Sequence, residues 1–208
     1  MKIDFHLYAI TDRKRITKDR FLYLIEKAFD AGLKAIQIRE KDLSPLELFR
    51  LSEQIKIMAG RYHAKTFIND RVDILLALDL DGVHMTEQSL PVDQIRKIIG
   101  KEKLIGVSTH SLEKLQTALA ASADFAVLGP VAVTPSKTQG HMIMSSEQFK
   151  SACSKVKIPV FALGGVNTDN VRFWIKQGAH GVAGISIWME AEDIAVRLKQ
   201  LEKSLEHL

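Results

Sequence analysis

Short apolar runs alternate with amphipathic segments from one end of the 208-residue chain to the other, and this alternation most tightly constrains the fold. Strands are predicted over residues 5–10, 35–39, 65–68, 81–85, 104–107, 125–128, 159–163 and 181–187. Apolar residues at helical spacing predict helices between them, over 17–31, 72–78, 92–99, 111–121, 146–156, 168–177 and 191–205. A further helix opens at Ser44-Pro45, where serine suits the N-cap, proline the first turn, and Glu47 the capping-box position. Thr168 is the expected cap of the helix that stops at Gly178. Eight strand–helix units in so short a chain fit a (β/α)8 TIM barrel, near the lower size limit of that fold. The rival is a doubly wound open sheet, which carries a glycine-rich turn after its first strand; here that turn reads Thr11-Asp12-Arg13. No linker or low-complexity stretch interrupts the pattern, so one domain is expected over 1–208.

Composition narrows the function classes. Hydrophobic residues make up 46% and charged residues 26%, ordinary for a soluble globular chain. The net charge of +4 comes without a Lys/Arg block or interleaved aromatics, which argues against a nucleic-acid partner and suits cations around a small anionic ligand. The single cysteine, Cys153, excludes an internal disulfide framework and, lying in a helical stretch, is expected to pack rather than react. The first residues lack a signal-peptide core and no apolar run is long enough to span a membrane, so a cytoplasmic location is expected. Assembly with further copies of the chain is left open.

In a barrel the strand C-terminal ends share one face, so their residues belong together. Strand two supplies Gln37, Arg39 and Lys41 at period two, on one face of an extended segment. They would need an anionic ligand or neighbouring partners. Strand three ends in Asn69-Asp70, suited to a hard cation such as Mg2+ completed by ligand phosphates, or to capping the next helix. His84 in strand four reads first as a hydrogen-bonded core histidine, and strand five ends in Ser108 and His110. The loop after strand six carries Thr134, Ser136 and Thr138 around Pro135 and Lys137, a plausible phosphate grip that could equally be a solvated loop. Gly164-Gly165 after strand seven, with Gly184 and Ser186 at strand eight, would let backbone N–H groups approach a phosphate. The chemistry alone implies a barrel enzyme for two phosphorylated groups.

The motifs Tyr8-Ala9-Ile10-Thr11-Asp12, Gln37-Ile38-Arg39-Glu40-Lys41, Phe67-Ile68-Asn69-Asp70 and Gly82-Val83-His84 resemble, in order and spacing, those of thiamine phosphate synthases. So do Gly106-Val107-Ser108, the run from Gly129 to Lys137, Ala162-Leu163-Gly164-Gly165-Val166, and the run from Gly181 to Ser186. The resemblance implies a transferase of thiamine biosynthesis that joins a hydroxymethylpyrimidine diphosphate to a thiazole phosphate and releases pyrophosphate. It implies that Gln37, Arg39, Lys41, Asn69, Ser108 and Lys137 hold the diphosphate, with Arg39, Lys41, Ser108 and Lys137 acting in catalysis. Asp70 would hold Mg2+, and Thr134, Ser136, Gly164, Gly165, Gly184 and Ser186 would face the thiazole phosphate. One departure stands out: a second metal-binding aspartate of the synthases is replaced by Ser89, two residues beyond Glu87, which could substitute for it. That leaves two alternatives beside the synthase. One is a related thiazole tautomerase, whose histidine after the sixth-strand glycine is Pro130 here; the other is a barrel that binds a thiamine-related phosphate without turnover.

Overall fold

In the computed structural model, which describes residues 3–132 and 143–205, eight parallel strands close into a barrel in sequence order. The strands are β1 (Leu7–Ile10), β2 (Ala35–Ile38), β3 (Lys65–Asn69), β4 (Gly82–Met85), β5 (Leu104–Thr109), β6 (Phe125–Leu128), β7 (Val160–Leu163) and β8 (Gly181–Gly184). The helices on its outside are α1 (Lys18–Asp30), α2 (Pro45–Arg61), α3 (Val72–Leu78), α4 (Val92–Ile99), α5 (Leu112–Ala120), α6 (Ser146–Ser154), α7 (Val171–Lys176), α8 (Ser186–Met189) and α9 (Ile194–Leu205). β1 pairs with β8 through Leu7–Val182 and Ala9–Gly184, and that pairing closes the ring. The (β/α)8 expectation holds, and the open-sheet rival falls with the closure.

Strand alternation divides the apolar residues into two cores. Ile36, Ile38, Ile68, Val83, Ile105, Ala126, Ala162 and Val182 face outward and pack under the helices. Phe5, Tyr8, Ile10, Phe67, Leu104, Phe125, Val127 and Phe161 fill the interior. Ring centroids there lie 5.1 Å apart for Tyr8–Phe125, 5.2 Å for Tyr8–Phe67 and 5.3 Å for Phe5–Phe161. So dense a layer needs vacant positions on neighbouring strands. Gly82 and Gly106 supply them: a Cβ at Gly82 would lie 2.5 Å from the Phe67 ring, and one at Gly106 would lie 2.4 Å from that of Phe125.

The helix ends follow local chemistry. Ser44 and Glu47 form the expected capping box at α2, and Ser145 with Gln148 forms another at α6. Three expectations are corrected. Thr168 does not cap α7, which begins at Val171; the Asn167 carboxamide oxygen instead accepts from the N–H groups of Asp169 and Asn170, making a polar turn. The eighth strand ends at Gly184 rather than at 187, because the chain turns into α8 and buries Trp188, whose indole N–H donates to the Ile10 carbonyl at 3.0 Å. β5 runs two residues further than expected, pairing Ser108 with Val127 and Thr109 with Leu128. Cys153 is half-buried in α6 and burial pushes its thiol up to about 12, so it stays protonated and packs. Among the described residues, no helix is long and apolar enough to cross a membrane.

Phe125 touches the rings of Phe5, Tyr8, Phe67 and Phe161 and is fully buried. Phe125→Ala is therefore expected to lower unfolding free energy by about 3–5 kcal/mol, measured by urea titration. A loss below about 1 kcal/mol would show that the interior layer collapses around the gap.

Candidate active site

The C-terminal strand ends form one mouth above the aromatic layer. Gln37 points from β2 into the interior and is 1% exposed, Arg39 is half-buried just beyond the strand, and Lys41 is exposed at the rim. The backbone N–H of Arg39 donates to Thr11 Oγ1 at 3.0 Å, tying β2 to the loop after β1. Glu40, at the opposite parity, is buried and reaches into that same loop. Both its carboxylate oxygens accept from the backbone N–H of Arg13, at 3.1 and 3.0 Å. Burial pushes its carboxyl up, and the bonds to Thr11 and Arg13 oppose that rise. Glu40 was not anticipated as a site residue; its signal was a lone acid between two cations, one step out of phase with them.

Below Arg39 the interior turns polar. His84 on β4 is 2% exposed, with Nε2 2.9 Å from Ser108 Oγ and Nδ1 3.5 Å from the hydroxyl of fully buried Tyr8. Burial, reinforced by the Arg39 charge, lowers the imidazole to about 3, so it is neutral at physiological pH. The expectation of a hydrogen-bonded core histidine holds, and its partner is Ser108. Burial also holds Tyr8 well above the usual phenol range.

Asn69 ends β3 half-buried beside His84, and Asp70 follows in the left-handed region at φ 60°. Its backbone N–H donates to the His84 carbonyl at 3.0 Å, while its side chain is exposed. The capping alternative is not adopted: Arg71 occupies the N-cap of α3, without a side-chain capping bond. Glu87 is exposed in the loop after β4. Ser89 closes that loop locally, its Oγ accepting from Thr86 N at 2.8 Å and lying 3.0 Å from Thr86 Oγ1. Among the described residues no three acids, histidines or cysteines gather as a metal site. Asp70 and Glu87 are exposed carboxylates after β3 and β4, hard oxygens of the type Mg2+ takes one or two of when substrate phosphates complete its shell.

On the other side, Gly164 and Gly165 after β7 have φ of 93° and 70°, which favour glycine. The Gly164 carbonyl accepts from Ala132 N, and that of Gly165 from Asn170 Nδ2, both at 2.9 Å. These bonds fix the turn beside Gly184, the last residue of β8, and Ser186, exposed at the start of α8. His110 Nδ1 donates to the Gly129 carbonyl at the end of β6. Thr134, Ser136, Thr138 and Lys137 lie outside the described residues.

The neutral His84 makes stability depend on pH. Its native value lies below the ordinary 6.5, so between about 6.5 and 3 the unfolded chain binds a proton that the native protein does not. Stability from this group is complete above that window and falls as pH drops through it. Between pH 6 and 4 the wild type should lose about 1.4 kcal/mol per pH unit more than His84→Gln, read from urea midpoints. Equal slopes would contradict a neutral buried imidazole.

The thiamine monophosphate synthase family model matches residues 7–187. The thiamine-phosphate synthase of Desulfitobacterium hafniense is 36% identical over 201 residues, covering 97% of each chain. That of Clostridium acetobutylicum is 37% identical over 193 residues, covering 92% of this chain and 90% of its own. The solved thiamine phosphate pyrophosphorylase of Pyrococcus furiosus superposes with a TM-score of 0.87 at 33% identity, covering 97% of this chain and 95% of its own. With a family match spanning nearly the whole barrel and relatives of this similarity over full length, the chain belongs to the thiamine monophosphate synthase family.

Proposed function

We propose that this protein is a thiamine phosphate synthase, joining hydroxymethylpyrimidine diphosphate to thiazole phosphate and releasing pyrophosphate. The observation that carries the reading is the polar wall inside an otherwise aromatic barrel: Gln37, His84 and Ser108, with Arg39 and Lys41 above them. A flat heteroaromatic ring suits the apolar floor, and a diphosphate suits the cations at the rim. The C–O bond of the pyrimidine methylene breaks with both electrons leaving on the diphosphate. The thiazole nitrogen then forms the C–N bond with its lone pair, and no base is required. Negative charge grows on the departing oxygen, so donors already in place there lower the barrier. Arg39, Lys41, Asn69 and Ser108 fill that role, and Lys137 joins them in this reading. Gly164, Gly165, Gly184 and Ser186 border the opposite pole, where the thiazole phosphate would sit with Thr134 and Ser136.

Mg2+, when bound, would neutralise part of the diphosphate charge; Asp70 would hold it, with Glu87 as a second carboxylate. Ser89 cannot serve as an anionic ligand, so the acidic share of the shell falls to these two. The tautomerase and silent-binder alternatives gain nothing from the geometry: the full-length relatives compared above are synthases, and no imidazole occupies the position after Gly129.

Thiamine phosphate formation should be measured with both substrates across a Mg2+ titration. Product is expected only with Mg2+. Arg39→Ala should lower kcat by about 10²–10³-fold, Asp70→Ala should abolish turnover, and Glu87→Ala should raise the Mg2+ requirement. Absence of product at every Mg2+ level in folded protein, or full activity of Asp70→Ala, would sink the synthase reading.

A further inference from the structure

The interior histidine makes two contacts that together have a direction. A neutral imidazole owns one donor and one acceptor nitrogen, and which is which is set by its partners. Nε2 faces Ser108 Oγ at 2.9 Å and Nδ1 faces the Tyr8 hydroxyl at 3.5 Å. Tyr8 has one hydrogen to give and stands among Phe5, Phe67, Phe125 and Phe161, which accept none strongly. The Gln37 amide stands near enough to the phenol to oppose the rise that burial causes, but its buried Nε2 has no hydrogen-bond partner. The phenol hydrogen is thus left for Nδ1, which puts the imidazole hydrogen on Nε2.

Resting on the synthase reading above, we infer that His84 is a positioning residue for Ser108: its Nε2–H donates to Ser108 Oγ and leaves the serine hydrogen to point at an anionic oxygen in the mouth. Ser108 without such a donor could turn its hydrogen back onto the histidine and offer the anion only lone pairs. The chain runs one way, from Tyr8 to His84, Ser108 and the diphosphate. Steric evidence supports a built arrangement. A Cβ on Gly106, which pairs with His84 across the strands, would lie 2.8 Å from Nδ1, so the ring is seated where only glycine leaves room. The imidazole is 2% exposed and packed against the rings of Tyr8 and Phe125, surroundings that favour its neutral form and with it the donor–acceptor asymmetry.

The test is a double-mutant cycle on the full-length protein with a conservative rescue. Ser108→Ala and His84→Leu should each lower kcat by about 10–100-fold, with KM for thiazole phosphate unchanged, and the double variant should be no worse than Ser108→Ala alone. His84→Gln, whose amide can donate from near the Nε2 position, should recover most of the loss. Tyr8→Phe, a change small enough to leave the fold intact, should lower kcat several-fold and have no effect once Ser108 is alanine. Multiplicative losses in the double variant, full activity of His84→Leu, or no rescue by His84→Gln in folded protein would overturn the assignment. If the wild type makes no product, the synthase reading fails separately, and the same cycle is run on binding of inorganic pyrophosphate by calorimetry. Non-additive loss there upholds the positioning role. Additive loss, or no pyrophosphate binding by the wild type, overturns it.

Discussion

Everything at the mouth depends on how the barrel interior is filled. Five aromatic rings from the chain start and from β1, β3, β6 and β7 pack edge and face against one another, and they fit because β4 and β5 contribute glycine at the same level. This layer sets a hard floor. Above it the interior positions change character within one pleat, from Phe67 to Asn69, from Gly82 to His84 and from Gly106 to Ser108. The same two-residue period that packs the floor therefore aims the polar groups, and neither could shift register without displacing the other.

The electrostatics follow from that floor. Apolar surroundings raise the free energy of charged forms, so His84 is held neutral and Tyr8 protonated, while the permanent guanidinium of Arg39 stays at the half-exposed level above. Glu40 supplies the complementary charge on the outer side of the same strand end. By gripping the Arg13 N–H it locks the loop after β1 against β2, while Thr11 grips Arg39 from the other direction. The cations are thus mounted on a braced edge, which limits the ordering cost of binding.

Much of this was legible in the sequence, because barrel periodicity is written in every strand. The eight units, the capping box at Ser44, the common face of Gln37 and Arg39 and the packed Cys153 follow from spacing and composition alone. Elements that depend on distant partners were harder to read. Nothing local foretells that Trp188 will leave the sheet to reach Ile10, that Asp70 will take a left-handed turn rather than a cap, or that Glu40 faces away from its neighbours to hold Arg13. Tyr8 looked like one more apolar strand residue. Its meaning appears only when β4 brings His84 to its hydroxyl, 76 positions along the chain.

The position of Phe5 bears on how such a chain can assemble. It precedes β1, yet its ring stacks on Phe161 of β7 and meets Phe125 of β6, and the strand that follows it pairs with β8. Phe5 can rest on Tyr8 and Phe67 once β3 is made, but its full set of ring neighbours waits for β7. Partial barrels can form in the meantime, but their lumen stays unplugged and their two edge strands unpaired, and loop closure over almost the full chain length is the step that seals both. The β1–β8 pairing joins the strands farthest apart in the barrel's sequence and so carries its largest loop-closure cost.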